Sequence, residues 1–520
     1  MRPTHIAYAI WTIIALLGVV CWLMPEEGLV IGDWTLRWPT LVEALDMEDE
    51  AIDDELLAMD DDVQHLSDSA ICYVSNSEPS NVVYSEPSHV ADTDSMQMND
   101  GKSKGVPCQP LFAFCQALDS ANSMPIRVVH YGDSQIEEDR ITNILREQWQ
   151  KQYGGGGVGL IPLHQTIPTR SIRQWISMDG KVQSVQGGPK RNLVYGPRNM
   201  RLPDSDDYGV MGQVAIMDST LVKGSEKIVL NIEPIDKKRK PHNYFNCLRL
   251  LTDSTFQRTN VELRSKNLAT IQDTTISSAT VISHSTFNSL YYVLPDSTMH
   301  CELHLQGQGS IYGISLETNS GVIVDNIPMR GCSGNIFTKI DSAQLSDFYR
   351  DTNTRLIILQ FGGNMIPQTE NKSTISGYVR STLLQQVHYI RACAPQASIL
   401  FIGPSDMSTN IDGKMTTYPL IPYMDKLLKK MTAEENIAYW SMYDAMGGYN
   451  SMVTWVEKGL AGSDYVHFTR SGANKIGKQL YNWIETARQQ YKEESIKLEN
   501  ADSIHVDTIN LSLDSLMSNL

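Results

Sequence analysis

Acyl transfer through serine needs a hydroxyl, an imidazole, a group that orients the imidazole, and donors for a developing oxyanion. This chain offers a candidate for each, always after an apolar run. Ser134 is the hydroxyl. It closes Gly132-Asp133-Ser134, which follows the apolar run Ile126–Val129 and precedes a helical pattern from Glu137 to Gln150. That order reads as buried strand, sharp turn and helix start, with the serine lifted onto the edge where open α/β sheets hold their sites. A helix N-terminus behind it favours developing negative charge. Standing alone, a serine after Gly-Asp is commonly a turn or cap residue. His467 is the base. Asp464 lies three residues before it, close enough for its carboxylate to reach the ring across one loop turn and fix the tautomer. A lone D-x-x-H equally describes a helix cap beside a surface histidine. Gly334 offers a backbone N–H and Asn364 a side-chain amide; with the Ser134 N–H they make a three-donor hole.

These residues need a scaffold, and the chain supplies alternating strands and helices on both sides of a different kind of segment. A helical pattern spans Pro110–Ala121 before the first strand. The Gly154-Gly155-Gly156-Gly157 run lacks the following Gly-Lys-Ser/Thr of a phosphate cradle, so it reads as a flexible loop or a close approach of backbones. Residues 170–324 are short alternating runs separated by turn residues: 227–232, 247–251, 260–263, 280–283, 290–294, 300–305 and 310–316. That spacing predicts an all-β sandwich or jelly roll inserted into the α/β pattern. Trp175, Tyr208, Tyr244, Tyr291 and Tyr292 are either a sugar-binding face or ordinary sandwich core. Strands then recur at 321–327, 355–361, 398–403 and 437–442, with helices at 376–393, 420–431 and 471–491, Thr469 capping the last. This implies a mostly parallel sheet covered on both faces. Residues 491–520 read as a loosely ordered tail.

Charge is confined to one place. The net charge is -17, yet residues 41–100 hold 17 acids and no Lys or Arg, and the remainder has 43 of each sign. The acidic stretch, about 26–105, reads as a disordered tether. No basic stripe argues for nucleic acid. Ile6–Met24 are 19 residues without a charge, Arg2 precedes them, and Glu26, Glu27 and Asp33 follow. They read as a single-pass anchor, residues 1–25, with the body on the extracytoplasmic side of the inner membrane. A cleaved signal peptide and a lipid on Cys21 are the rivals, and neither finds its small residues. Eight cysteines do not make a disulfide framework, although Cys108 and Cys115 are close enough in sequence to pair. No CxxC or HExxH is present, so no metal site or cofactor is implied.

Gly132-Asp133-Ser134, Gly334, Gly363-Asn364 and Asp464-x-x-His467 stand in the order of the four blocks of the SGNH, or GDSL, hydrolase superfamily. The resemblance covers about 106–165 and 325–490. It implies a flavodoxin-like three-layer α/β/α fold, a hydrolase domain in two parts (106–169 and 325–490) and a β domain inserted at 170–324. It also implies Ser134 as nucleophile, Ser134, Gly334 and Asn364 as oxyanion donors, His467 as base and Asp464 as its orienter. The third block departs from the common Gly-x-Asn-Asp in reading Gly-Gly-Asn-Met. The insert resembles that of peptidoglycan and polysaccharide O-acetylesterases, whose extra domain is like a carbohydrate-binding module. The 444–448 stretch with Trp455 is also similar to such bacterial members, and loop packing near the site is the role expected of it. The implied activity is an O-acetylesterase on cell-envelope or extracellular polysaccharide. An O-acetyltransferase working with a membrane-bound acyl donor protein, and a non-catalytic glycan-binding protein, are the alternatives.

Overall fold

The apolar runs of the α/β pattern become five parallel strands: β1 (Pro125–Gly132), β2 (Gly321–Pro328), β3 (Thr354–Gln360), β4 (Ser398–Ile402) and β5 (Ala438–Trp440), in the order β2-β1-β3-β4-β5. The computed structural model describes residues 109–517 apart from short stretches between 164 and 277, together with the backbone of Leu29–Ile31 and Trp34–Leu36. Alternate strand residues point to opposite faces, and both are buried. Val129, Tyr131, Ile357, Leu359, Ile399 and Phe401 share one core. Val128, Val324, Leu356, Ile358, Leu400 and Ile402 share the other. Helices α1 (Thr142–Tyr153) and α5 (Arg470–Met517) cover the second core through Leu145, Trp149, Ile476, Leu480 and Ile484. Helices α2 (Ser342–Asp351), α3 (Leu384–Cys393) and α4 (Ile421–Glu434) cover the first through Phe348, Val387 and Leu428. Chain order reverses between β1 and β3, the place where open parallel sheets hold ligands at their C-terminal edge.

Between α1 and β2 the chain makes an antiparallel β body from Gly159–Ile161 to His300–Glu317. The runs expected at 300–305 and 310–316 are one 18-residue strand. Its first half pairs with Gln257–Lys266 and Ile228–Pro234, its second with Phe245–Asp253, Gln213–Met217 and Gly159–Ile161. Gly309, at φ 133°, stands where the strand changes partners. Leu230, Leu263 and Leu303 from one half and Leu248, Leu290 and Ile314 from the other share one core, as two packed layers require. Tyr292 lies in that core, as the plainer reading of the aromatics had it.

Three boundaries differ from expectation. The strand β2 begins at Gly321, so the second part of the α/β domain starts before 325. Gly159–Ile161, expected in its first part, pairs with the β body instead. Residues 491–517 continue α5, which is 48 residues long, so they are helix and not a loose tail. The four-glycine run is a close approach of backbones. A Cβ on Gly155 would stand 2.5 Å from the Val322 carbonyl oxygen, and one on Gly157 2.1 Å from that of Leu316.

The expected anchor Ile6–Met24, nearly all of the tether 26–105, and Cys108 lie outside the described residues. Within the tether, Leu29–Ile31 pairs antiparallel with Trp34–Leu36. Among the described residues no helix is long and apolar enough to cross a membrane.

Candidate active site

β1 delivers Ser134 to the C-terminal edge of the sheet. The turn packs closely on Gly132, where a Cβ would stand 2.9 Å from Ile136 Cδ1. The Asp133 side chain caps the turn, accepting from the Gln135 N–H at 3.0 Å. The helix expected from Glu137 does not start there. Ser134–Asp139 is a short 3₁₀ segment broken by Glu138 and Asp139 at φ 58° and 64°, and α1 begins at Thr142. α1 therefore does not begin at the serine. Two consecutive left-handed non-glycine residues are costly. They are held in place by ion pairs of Glu138 with Arg140 (2.8 Å) and Arg170 (3.0 Å), and of Asp139 with Arg146.

Ser134 and His467, 333 residues apart, meet: Oγ lies 2.9 Å from Nε2. On the far side of the ring, Nδ1 lies 2.6 Å from Asp464 Oδ2. The other oxygen, Asp464 Oδ1, accepts from the Val466 and His467 N–H groups at 2.9 and 3.0 Å. Burial alone would raise the Asp464 carboxyl, but the hydrogen bonds and charge of His467 and the two amides hold it below its ordinary value. A carboxylate so held fixes the proton on Nδ1 and leaves Nε2 to accept one from the serine.

Asn364, in the turn after β3, sits beside this chain. Its Nδ2 donates to Asp133 Oδ2 and to the Cys332 carbonyl, both at 3.2 Å. Gly334 lies in that same loop after β2, with φ 81°, and a Cβ there would stand 2.9 Å from Phe361 Cβ. Its N–H is engaged at 3.3 Å by Cys332 Sγ, a weak acceptor. Asp133 is pushed up to about 6 by burial, partly offset by the Gln135 amide and the charge of His467.

Residues that the sequence reading passed over complete the surroundings. Gln135 donates to the Val466 carbonyl at 2.6 Å. Glu137, buried, takes both arms of Arg330 at 2.8 and 2.6 Å, joining the turn after β1 to the loop after β2. Below the turn, buried His130 lies between Gln360 Oε1 (3.1 Å) and Thr142 Oγ1 (2.9 Å), and Thr142 donates to Asn326. Asn326 in turn donates to the Ile136 carbonyl. None of these has a spacing signal, since each is defined by a distant partner. The 444–448 stretch forms a helix end beside the site, where Trp455 donates to the Met446 carbonyl and its ring lies 5.3 Å from that of Phe468. Among the described residues no cluster of His, Cys, Asp and Glu has the arrangement of a metal site.

No protein-family model matches the sequence, and no curated protein matches it. Among solved structures the chain is similar to a peptidoglycan O-acetylesterase at 19% identity and a TM-score of 0.56, over 74% of this chain and 98% of that one. The chain shares that structure's fold, an SGNH-like α/β fold with a parallel sheet. Two further similarities cover only part of the chain. TesA matches at 15% identity and a TM-score of 0.24, over 32% of this chain and 79% of that one. A catalytic mutant of an acetylxylan esterase from Geobacillus stearothermophilus matches at 15% and 0.24, over 32% and 73%. On the SGNH fold the Ser134 turn follows β1, the Gly334 loop follows β2 and Asn364 follows β3, all on one edge of the sheet.

Proposed function

We propose that the chain is a serine-dependent carbohydrate ester hydrolase, an O-acetylesterase acting on cell-envelope or extracellular polysaccharide. The reading rests on one observation, the unbroken hydrogen-bonded series Ser134–His467–Asp464 at the β1 end of an SGNH fold. The substrate class is supported by the similarity to a peptidoglycan O-acetylesterase along most of the chain. The Ile6–Met24 run holds the body to the inner membrane, facing the extracytoplasmic glycan.

In the proposed reaction, Ser134 Oγ attacks the ester carbonyl carbon while His467 Nε2 takes its proton. The tetrahedral oxyanion is received by the Ser134 N–H, the Gly334 N–H and the Asn364 amide. The Gly334 N–H exchanges the Cys332 sulfur for the oxyanion, a stronger acceptor. The intermediate collapses by expelling the sugar alkoxide, which takes the proton from His467. Water, deprotonated by the same ring, then cleaves the acyl-serine to acetate and restores the hydroxyl. Asp464 stays ionised and stabilises the transient imidazolium.

The test is turnover of p-nitrophenyl acetate and of an O-acetylated glycan, with and without an oligosaccharide acceptor. Release of acetate from the glycan is expected. Acetate appearing on the acceptor instead, with faster p-nitrophenol release, would assign the acyl group to transfer. Glycan binding without turnover in the wild type, unchanged in Ser134→Ala, would leave only a binding protein.

A further inference from the structure

Asp464 and His467 form a rigid unit. The carboxylate holds the ring through Nδ1 and holds the loop through two backbone N–H groups. Nothing inside that unit fixes its distance from Ser134. The loop also contains Tyr465 at φ 57°, a left-handed position unfavourable for a bulky residue, so it needs outside ties. Two come from the serine's own segment and bracket His467. Gln135 Nε2 donates to the carbonyl of Val466, just before it, at 2.6 Å. Arg140 Nη1 donates to the carbonyl of Phe468, just after it, at 3.4 Å. Gln135 is adjacent to Ser134 and is itself fixed, its N–H on Asp133 Oδ1 and its Nε2 also 3.3 Å from Ser405 Oγ. It is only 6% exposed, so the bond to Val466 faces little competition from water.

We infer that Gln135 is a positioning residue: its amide sets the spacing between the Ser134 hydroxyl and the His467 ring, with Arg140 as the second tie. The inference rests on the proposed hydrolysis and adds to it a residue that touches no reacting atom. Misplacement of a catalytic group by about 1 Å costs on the order of 10²-fold in rate.

The experiment uses the full chain, p-nitrophenyl acetate kinetics and the rate of fluorophosphonate labelling. Gln135→Leu keeps the bulk and lacks the donor. It is expected to lower kcat and the labelling rate by about 10- to 100-fold with KM within about twofold. Gln135→Glu separates positioning from folding. Its ionised carboxylate repels the Val466 carbonyl, whereas its protonated form donates to it. The ratio of Gln135→Glu to wild-type kcat/KM therefore rises as pH falls. A merely structural role would make that ratio follow the fraction of Gln135→Glu that is folded, read by circular dichroism at each pH, and a ratio that only tracks that fraction would overturn the inference. Wild-type kcat and labelling in Gln135→Leu would overturn the inference, and so would a flat or falling Gln135→Glu ratio if Gln135→Leu fails to fold. An unlabelled wild type would overturn the hydrolase reading itself, together with this inference.

Discussion

Asp464 spends one carboxylate oxygen on the ring and the other on two backbone amides, so its charge serves geometry as much as electrostatics. Asp464→Asn keeps the shape but offers an amide N–H where the ring needs an acceptor. It is expected to lower kcat by about 10³- to 10⁴-fold, measured on p-nitrophenyl acetate. A loss under tenfold would remove Asp464 as the orienter. The Asn364 side chain donates two bonds of 3.2 Å, and Asn364→Ala should cost about 10²- to 10³-fold in kcat with little change in KM. A large rise in KM with unchanged kcat would make it a substrate-binding residue instead. The places of Ser134, His467, Asp464, Gly334 and Asn364 after strand ends were legible because small residues punctuate strand ends and because four weak signals fell in one order. Gln135 and Arg140 were not. Their meaning lies in carbonyls 331 and 328 residues away, and no local pattern records such a partner.

The turn between β1 and α1 shows where pattern reading fails. Glu137-Glu138-Asp139 looks like the acidic first turn of a helix. Two of the three are left-handed instead, because arginines from α1 and from the start of the β body hold their carboxylates outside a helix. Similarly, Gly307 and Gly309 read as a turn, whereas a long strand passes through them from one layer to the next. β1 and the turn after it carry two groups with opposed pH behaviour. Burial holds His130 at about 3, below its ordinary 6.5, so the unfolded chain takes up a proton there first. That contribution to stability is present above pH 6.5 and is lost as pH falls toward 3. Asp133 is held at about 6, above 3.8, so its contribution is present below 3.8 and is lost as pH rises through 6. Urea midpoints between pH 4 and 7 should therefore fall less steeply on acidification in His130→Gln, and more steeply in Asp133→Asn. Unchanged slopes in both variants would contradict the buried, neutral histidine.

The α/β body and the β body are joined through charge. Arg127 on β1 binds Asp325 on β2 at 2.7 Å and also Glu317 of the β body, which pairs with Arg249 at 3.0 Å. All of these side chains are buried, and Asp325 also accepts from the Leu160 N–H at 2.8 Å. Such a network offers little net stability when whole, but it is costly to break, because the surviving charges stay buried. Arg127→Met should lower unfolding stability by about 3–5 kcal/mol, read from denaturant midpoints. A loss below about 1 kcal/mol would mean that Asp325 and Glu317 find water. The alternation of strands and helices gave away the layered architecture, and the change to short alternating runs gave away the insert. The bonds between them could not be read, since Arg127, Glu317 and Asp325 look like ordinary strand residues until they face one another. The site stands on β1 of the same sheet, so the whole account depends on Ser134 being the reactive atom. The most direct measurement is fluorophosphonate labelling of the full chain with the modified residue located by mass spectrometry. The account predicts one adduct on Ser134, absent from Ser134→Ala and strongly slowed in His467→Ala. Labelling that persists in Ser134→Ala, or a wild type that takes no label, would contradict it.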